Sequence, residues 1–344
     1  MKQDWRLQHI LSIDQFARDD LEQVIAVADL MEPIASRRYS TRVLEGAVLA
    51  NLFFEASTRT RISFHTAFAR LGGAVCDTSS VVFSSISKGE SLADTARVIA
   101  GYCDAIVIRH PDVGSAQEFA NHVNIPVLNA GDGIGEHPSQ ALLDLYTIYK
   151  ERMHRNNKPI DHCRVALVGD LKRGRTVHSL IRALSHFDDM EFVCVAPDSL
   201  QMPDDLVRKA KEAGHKVTIC TDLQPGLATA DVVYATRLQT ERNDQGDTQT
   251  GYAPDFRITR KIINDVCGHD VIIMHPLPRD SRKNANDLSD ELDGDPRNAI
   301  FRQADNGIAV RMAMFALTLG VVDQIKGDTH PSRWLQPAHW RRWE

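Results

Sequence analysis

The chain has 344 residues, 43% of them hydrophobic and 25% charged, with a formal net charge of −6. That length accommodates two domains with separate cores, and the acidic balance excludes a general nucleic-acid or membrane-surface binder, so any anion site has to be local. No apolar run approaches the roughly 18 residues of a membrane span, and the polar start Met1-Lys2-Gln3-Asp4-Trp5-Arg6 lacks the apolar core of a secretory signal.

In chain order, short apolar runs predict strands at 47–54, 104–108, 126–129, 164–169, 191–196, 216–220, 231–235 and 271–275. Several are continuously apolar, as strands covered on both faces are. Helix-period segments fall between them at 60–71, 91–102, 138–152, 176–186 and 203–213, with Gly72-Gly73 and Gly214 as stops. This alternation predicts an α/β fold of two parallel-sheet domains of similar size linked by helices. The polar stretch 152–163, with Asn156-Asn157 and Pro159, predicts the boundary between a first domain over 1–150 and a second over 151–304. The apolar segment 305–320 is expected to be a helix that completes the first domain together with the tail to residue 344. That tail carries Trp334, Trp340 and Trp343 among arginines, which predicts docking on the fold or on a partner. The six cysteines (Cys76, Cys103, Cys163, Cys194, Cys220, Cys267) form no C-x-x-C pair and are expected to be buried thiols in a reducing, cytoplasmic setting.

The densest chemistry lies in Phe53-Phe54-Glu55-Ala56-Ser57-Thr58-Arg59-Thr60-Arg61, where an apolar run ends, hydroxyl residues follow and a helix begins. Free N–H groups and the dipole at a helix N-terminus favour an anion. Ser57, Thr58 and Thr60 add hydroxyl donors, and Arg59 adds a planar cation matched to phosphate oxygens. The same residues also suit a Ser/Thr-capped helix with a surface arginine, and residue types alone do not separate the two readings. A nucleotide P-loop is excluded, because G-x-x-x-x-G-K-[ST] is absent. Four further clusters place cations and hydroxyls after strands. They are Arg109-His110-Pro111, His137-Pro138-Ser139-Gln140 behind the turn Gly131-Asp132-Gly133, the segment 169–176 with Lys172, Arg173 and Arg175, and His275-Pro276-Leu277-Pro278-Arg279. Open α/β sheets collect ligands outside the carboxyl ends of their strands, so these clusters point to a pair of anionic substrates. His65, His110 and His122 show no metal-ligand spacing.

These segments, with S-x-x-x-K-G-E from Ser84 to Glu90 and G-D-L-K-x-G-R-T-V-H-S-L from Gly169 to Leu180, resemble in order the motifs of aspartate transcarbamoylase (aspartate carbamoyltransferase) catalytic chains over about residues 5–320. S-T-R-T and H-P-x-Q mark carbamoyltransferases generally. Lys88, the segment 169–180 and H-P-L-P mark the aspartate branch, since ornithine transcarbamoylases carry H-C-L-P and lack that lysine. Two departures stand out: Ser139 where threonine is usual, and Arg173 where tyrosine is common.

The resemblance implies transfer of the carbamoyl group of carbamoyl phosphate to the amino group of L-aspartate, a step of de novo pyrimidine biosynthesis. It assigns 1–150, with 305–320 and the tail, to carbamoyl phosphate, and 151–304 to aspartate. By the same resemblance Ser57, Thr58, Arg59 and Thr60 hold the phosphate with Arg109. Arg109, His137 and Thr60 surround the carbamoyl oxygen, and Gln140 contacts the carbamoyl nitrogen. Arg59, Thr60, Lys88, Arg109 and His137 form the catalytic set. Arg175, Arg237 and Gln239 take the carboxylates of aspartate with Lys88, while the Pro276 and Leu277 carbonyls orient its amine. Ser84 and Lys88 match a loop that enters a neighbouring subunit's site, which implies a homotrimer with shared active sites. Glu55 matches a residue that holds the Arg109-bearing strand end. No metal, cofactor or nucleophilic side chain is called for, because carbamoyl phosphate is already activated; binding of regulatory chains stays open.

Three rival readings remain in view. A carbamoyltransferase for ornithine or another amine differs in its acceptor. A non-catalytic assembly subunit usually loses site residues, yet Arg59, Lys88, Arg109, His137, Arg175 and Arg237 are all present. A nucleotide-dependent oxidoreductase, suggested by 165–170, lacks G-x-G-x-x-G after that strand.

Overall fold

The computed structural model describes residues 3–78, 89–237, 256–279 and 287–334. Contacts divide the chain into two units, Met1–Leu143 with Asp305–Glu344 and Asp144–Ala304. The first begins with helix α1 (Arg18–Ala35), in which Leu21, Val24, Ile25, Ala28 and Met31 recur every three or four residues and are buried. Its first turn carries Asp19 and Asp20, where the dipole favours acids. Next come β1 (Tyr39–Ser40), β2 (Val48–Phe53), α2 (Thr58–Arg70), β3 (Ala74–Thr78), α3 (Leu92–Ala100), β4 (Ala105–His110), α4 (Ser115–Ala120) and β5 (Val127–Asp132). The chain then passes through α5 (Pro138–Asn156), β6 (Arg164–Val168), α6 (Arg175–Leu184), β7 (Glu191–Val195), α7 (Asp204–Glu212), β8 (Lys216–Cys220) and α8 (Leu223–Leu227). It ends with β9 (Val232–Ala235), α9 (Arg260–Val266), β10 (Ile272–Met274), α10 (Ile300–Thr318), α11 (Ile325–Asp328) and β11 (His330–Pro331).

In the first unit four strands pair in the order β3-β2-β4-β5, all parallel. In the second, five pair in the order β10-β9-β6-β7-β8, again all parallel. Each sheet starts in its interior, runs to one edge, and returns to the other side of its first strand. The crossover gaps therefore lie between β2 and β4 and between β6 and β9, and ligands collect at such gaps beyond the carboxyl ends. The core of the first unit includes Leu52, Ile106, Ile108, Phe119 and Val127; that of the second includes Val168, Val195, Leu227, Val233, Ile263 and Ile273. Each such side chain contributes about 1.5–3 kcal/mol by leaving water. At the amino ends of the second sheet, Arg164, Glu191 and Lys216 stand in register on adjacent strands. Glu191 Oε1 meets Arg164 at 2.9 Å and Lys216 at 2.6 Å.

Several sequence expectations shift. Strand β3 is unforeseen: it is an edge strand whose Ala74, Cys76 and Asp77 are exposed, so it lacks a continuous apolar run. Helix α5 runs on to Asn156, into the polar stretch expected to be a linker. Its Glu151 and Arg152 are buried and paired, Glu151 with Arg155 and Arg302, Arg152 with Asp231. Helix α10 starts at Ile300 rather than 305, where the Asn298 side chain accepts the Ile300 N–H at 3.1 Å. The thiols are mixed rather than uniformly buried: Cys163 and Cys194 are buried, Cys103, Cys220 and Cys267 half-buried, and Cys76 exposed. Cys76 lies on the outer strand β3 of its sheet. Burial pushes the Cys163 and Cys194 thiols up to about 12. Up to Trp334 the tail lies along the first unit: β11 pairs antiparallel with β1, Asp328 accepts the Thr41 hydroxyl at 2.7 Å, and the Ser332 hydroxyl donates to the Arg37 carbonyl at 2.6 Å. Trp340 and Trp343 lie outside the described residues. Among those residues no single helix is long and apolar enough to cross a membrane.

Candidate active site

In the first unit the site residues lie at the carboxyl ends of β2, β4 and β5. Ser57 occupies the N-cap of α2 in extended backbone, yet its side chain makes no capping hydrogen bond, and no acid stands in the first turn. The capped-helix reading therefore fails where it is most specific. The N-terminus keeps its positive field, with Thr58 and Arg59 exposed and Thr60 buried in the first turn.

Strand β4 places Arg109 beside this turn: Phe53 and Arg109 are register partners, and Phe54 N donates to the Arg109 carbonyl at 2.8 Å. The Arg109 guanidinium is buried. It donates to the Ala130 carbonyl at 3.1 Å and pairs with Glu55 Oε2 at 2.9 Å. Glu55 thus ties the strand end to the loop that opens α2. Next to it, His110 Nδ1 accepts from Asp112 N at 3.1 Å and contacts the Ser115 hydroxyl at 2.9 Å. Burial lowers the His110 pKa, although Asp112, Glu118 and Glu55 oppose the shift.

His137 is buried and begins α5, its carbonyl accepting from Gln140 N at 2.9 Å, with Pro138 in the first helical position. Ser139, the residue that replaces the usual threonine, is fully buried with its hydroxyl 3.3 Å from His137 Nδ1. Gly133 holds the approach to this turn. Its φ is +52°, its N–H donates to the His110 carbonyl at 2.9 Å, and a Cβ there would lie 2.3 Å from the Pro111 carbonyl oxygen.

In the second unit the corresponding residues lie beyond β6, β9 and β10. Gly174 precedes α6 without a side-chain cap, and Arg175 is buried in the first helical position. The approach is tight: a Cβ on Gly174 would lie 2.6 Å from the Asp170 carbonyl oxygen. Asp170 is fully buried and accepts Arg173 N at 3.0 Å, with the Arg173 guanidinium 3.7 Å from its other oxygen. Arg173, the unusual cation of this segment, thus faces an acid of its own turn. His178 Nε2 bonds the Leu171 carbonyl at 2.6 Å, and burial lowers its pKa. Thr236 N donates to the Val168 carbonyl at 2.8 Å, which sets Thr236 and Arg237 beside the segment that carries Arg175. Beyond β10, Leu277 N donates to His275 Nδ1 at 2.9 Å, so the ring proton sits on Nε2 and donates to Asp287 at 2.8 Å. Pro276 and Leu277 ride on this pinned turn, with Leu277 at φ +56°.

Ser84, Lys88 and Gln239 lie outside the described residues. Arg59, Thr60, Arg109, His137 and Gln140 belong to the first unit, and Arg175, Arg237, Pro276 and Leu277 to the second. Sequence reading passes over the buried polar groups behind the second set: Asp144, Tyr234, Asp287 and Gln303. One signal was available, a lone acid inside Ala141-Leu142-Leu143-Asp144-Leu145, on the apolar side of a helix. Among the described residues, no cluster of three or more His, Cys, Asp or Glu side chains could hold a metal ion.

Two family models match the chain: the carbamoyl phosphate-binding domain of aspartate/ornithine carbamoyltransferases over residues 8–150, and their Asp/Orn-binding domain over 161–318. The chain belongs to the aspartate/ornithine carbamoyltransferase family. Within that family it is 56% identical over 329 residues to the aspartate carbamoyltransferase catalytic subunit of Dichelobacter nodosus, covering 96% of this chain and 94% of the relative. It is 52% identical to that of Cellvibrio japonicus, covering 95% and 96%. Among solved carbamoyltransferases, aspartate transcarbamoylase from Trypanosoma cruzi in complex with carbamoyl phosphate and aspartate superposes with a TM-score of 0.84. The identity there is 38%, covering 92% of this chain and 98% of that one.

Proposed function

We propose that this carbamoyltransferase is an aspartate carbamoyltransferase, forming N-carbamoyl-L-aspartate and phosphate for de novo pyrimidine biosynthesis. The observation that carries the reading is the N-terminus of α2, left without a side-chain cap beside buried Arg109. Relatives named aspartate carbamoyltransferase at 52–56% identity support the acceptor, as do two arginines, Arg175 and Arg237, at the crossover gap of the second sheet.

In this reading the phosphate of carbamoyl phosphate rests on Ser57, Thr58, Arg59 and Thr60, with Ser84 and Lys88 contributing and Arg109 reaching it from β4. Gln140 contacts the carbamoyl nitrogen. As the neutral amine of aspartate attacks the carbamoyl carbon, charge develops on the carbamoyl oxygen against Thr60, Arg109 and His137. Donors held in advance lower that barrier because they do not reorganise during the reaction. The C–O bond to phosphate then breaks, and the departing phosphate takes the amine proton. Aspartate is held through its carboxylates by Lys88, Arg175, Arg237 and Gln239, and through its amine by the Pro276 and Leu277 carbonyls. Positioning and charge stabilisation do the work. The same reading makes the protein a cytoplasmic homotrimer in which Ser84 and Lys88 of one copy complete the site of the next.

The test is steady-state turnover of the purified chain with carbamoyl phosphate and either L-aspartate or L-ornithine, alongside its mass in solution. Turnover with aspartate and a mass of three chains or a multiple of three are expected; turnover with ornithine alone rejects the acceptor. Mixing inactive Arg109→Ala and Lys88→Ala proteins should restore some activity. No recovery in confirmed mixed oligomers rejects shared sites.

A further inference from the structure

Behind the residues assigned to aspartate lies one buried polar network. Asp144, on α5, is fully buried. Its Oδ2 accepts the Tyr234 hydroxyl at 2.7 Å, and its Oδ1 accepts Gln303 Nε2 at 2.6 Å. Gln303, on α10, uses its carbonyl oxygen to accept the backbone N–H of His275 at 2.9 Å. His275 in turn is fixed by Asp287 and receives the N–H of Leu277. The Thr176 side chain also interacts with the Tyr234 phenol, whose pKa is held well above its ordinary value by burial first and by the Asp144 charge second. All these residues belong to the second unit.

Buried carboxylates are costly unless every partner is in place, so such a network specifies one arrangement of the elements that it joins. Its three ends are specific. Through Tyr234 it reaches the end of β9, three residues before Arg237. Through Thr176 it reaches the start of α6, adjacent to Arg175. Through Gln303 and His275 it reaches the turn that carries Pro276 and Leu277. We propose that Asp144 is a positioning residue for the aspartate site, one carboxylate that sets the supports of Arg175, Arg237 and the Pro276-Leu277 carbonyls together. The inference rests on the assignment of those residues to aspartate; Asp144 itself touches neither substrate.

The experiment compares Asp144→Ala and Asp144→Asn in the full-length enzyme. Alanine removes both acceptors. Asparagine keeps the shape, accepting from Gln303 while its amide donates to the phenol oxygen. Loss of one or two such hydrogen bonds moves an affinity by about tenfold. Asp144→Ala should therefore raise the aspartate KM by about tenfold or more and leave the carbamoyl phosphate KM within about twofold, while Asp144→Asn stays near the parent. A purely structural role would lower stability and disturb both substrates together. Equal rises in both KM values, an unchanged aspartate KM in folded Asp144→Ala, or an asparagine variant as impaired as alanine overturns the proposal. If Asp144→Ala does not fold, Tyr234→Phe, which deletes one oxygen, carries the same test: a selective rise in aspartate KM supports positioning, and no change overturns it. A parent enzyme that fails to carbamoylate aspartate would overturn the functional assignment instead, so the two failures are distinct.

Discussion

Replacing Arg109 by alanine probes the site where geometry and chemistry coincide. The guanidinium donates to the Ala130 carbonyl and pairs with Glu55 at 2.9 Å; the Arg109 side chain is 9% exposed and that of Glu55 32%. Losing one preorganised donor to a developing oxyanion costs about 3–4 kcal/mol, and each 1.36 kcal/mol is about tenfold in rate. kcat should therefore fall by about 10²- to 10³-fold. Stability should fall far less. Breaking a fully buried pair costs about 3–5 kcal/mol, but water reaches a third of Glu55, so about 1–2 kcal/mol is expected. Arg109→Lys keeps the charge, but a single ammonium does not span both the Ala130 carbonyl and Glu55, so its kcat should fall between the two. Steady-state rates at saturating substrates, with urea unfolding of the same preparations, separate the effects. A folded Arg109→Ala protein within tenfold of the parent kcat would refute the oxyanion role.

Gly174→Ala forces a Cβ to within 2.6 Å of the Asp170 carbonyl oxygen; a rise in aspartate KM with little change for carbamoyl phosphate is expected in the same assay. Glu151→Ala strips the buried carboxylate that Arg302 grips at 2.7 and 3.0 Å and Arg155 at 2.9 Å, and urea unfolding should show a loss of about 3–5 kcal/mol. The His178 pKa lies below its ordinary 6.5. The unfolded chain therefore binds that proton more readily, and the stability present above pH 6.5 is lost as pH falls toward the folded value. His178→Gln should flatten that acid-side loss in unfolding measured between pH 7.5 and 5.

Strands with both faces covered were legible, because continuous apolar runs such as Val165 to Val168 and Val232 to Ala235 admit few other readings. Edge strand β3 was not, since Asp77 and Cys76 face outward. Helix α1 carried a clear three-and-four spacing, but it precedes the first strand and so falls outside a reading built on strand-helix alternation. Polar residues misled where they pair internally: Arg152 and Arg155 fall in the stretch read as a linker, yet they lie in helix α5, paired with Asp231 and Glu151. Within the site, the motif clusters were readable because they sit at strand ends or in the segments that follow them. The partners that fix them were not: Asp287 lies 12 residues beyond His275 and Gln303 lies 159 residues from Asp144, separations that no local pattern encodes.

The two ends of the second sheet hold different kinds of charge. The amino ends carry the Arg164–Glu191–Lys216 ladder, which fixes which strand neighbours which and by how many residues they are offset. The carboxyl ends carry Arg175 at the start of α6, Arg237 after β9 and Leu277 after β10. Retargeting this enzyme to another amine is accordingly a matter of rewriting the connections that follow β6, β9 and β10, while the strand alignment that those connections depend on stays locked from the opposite side.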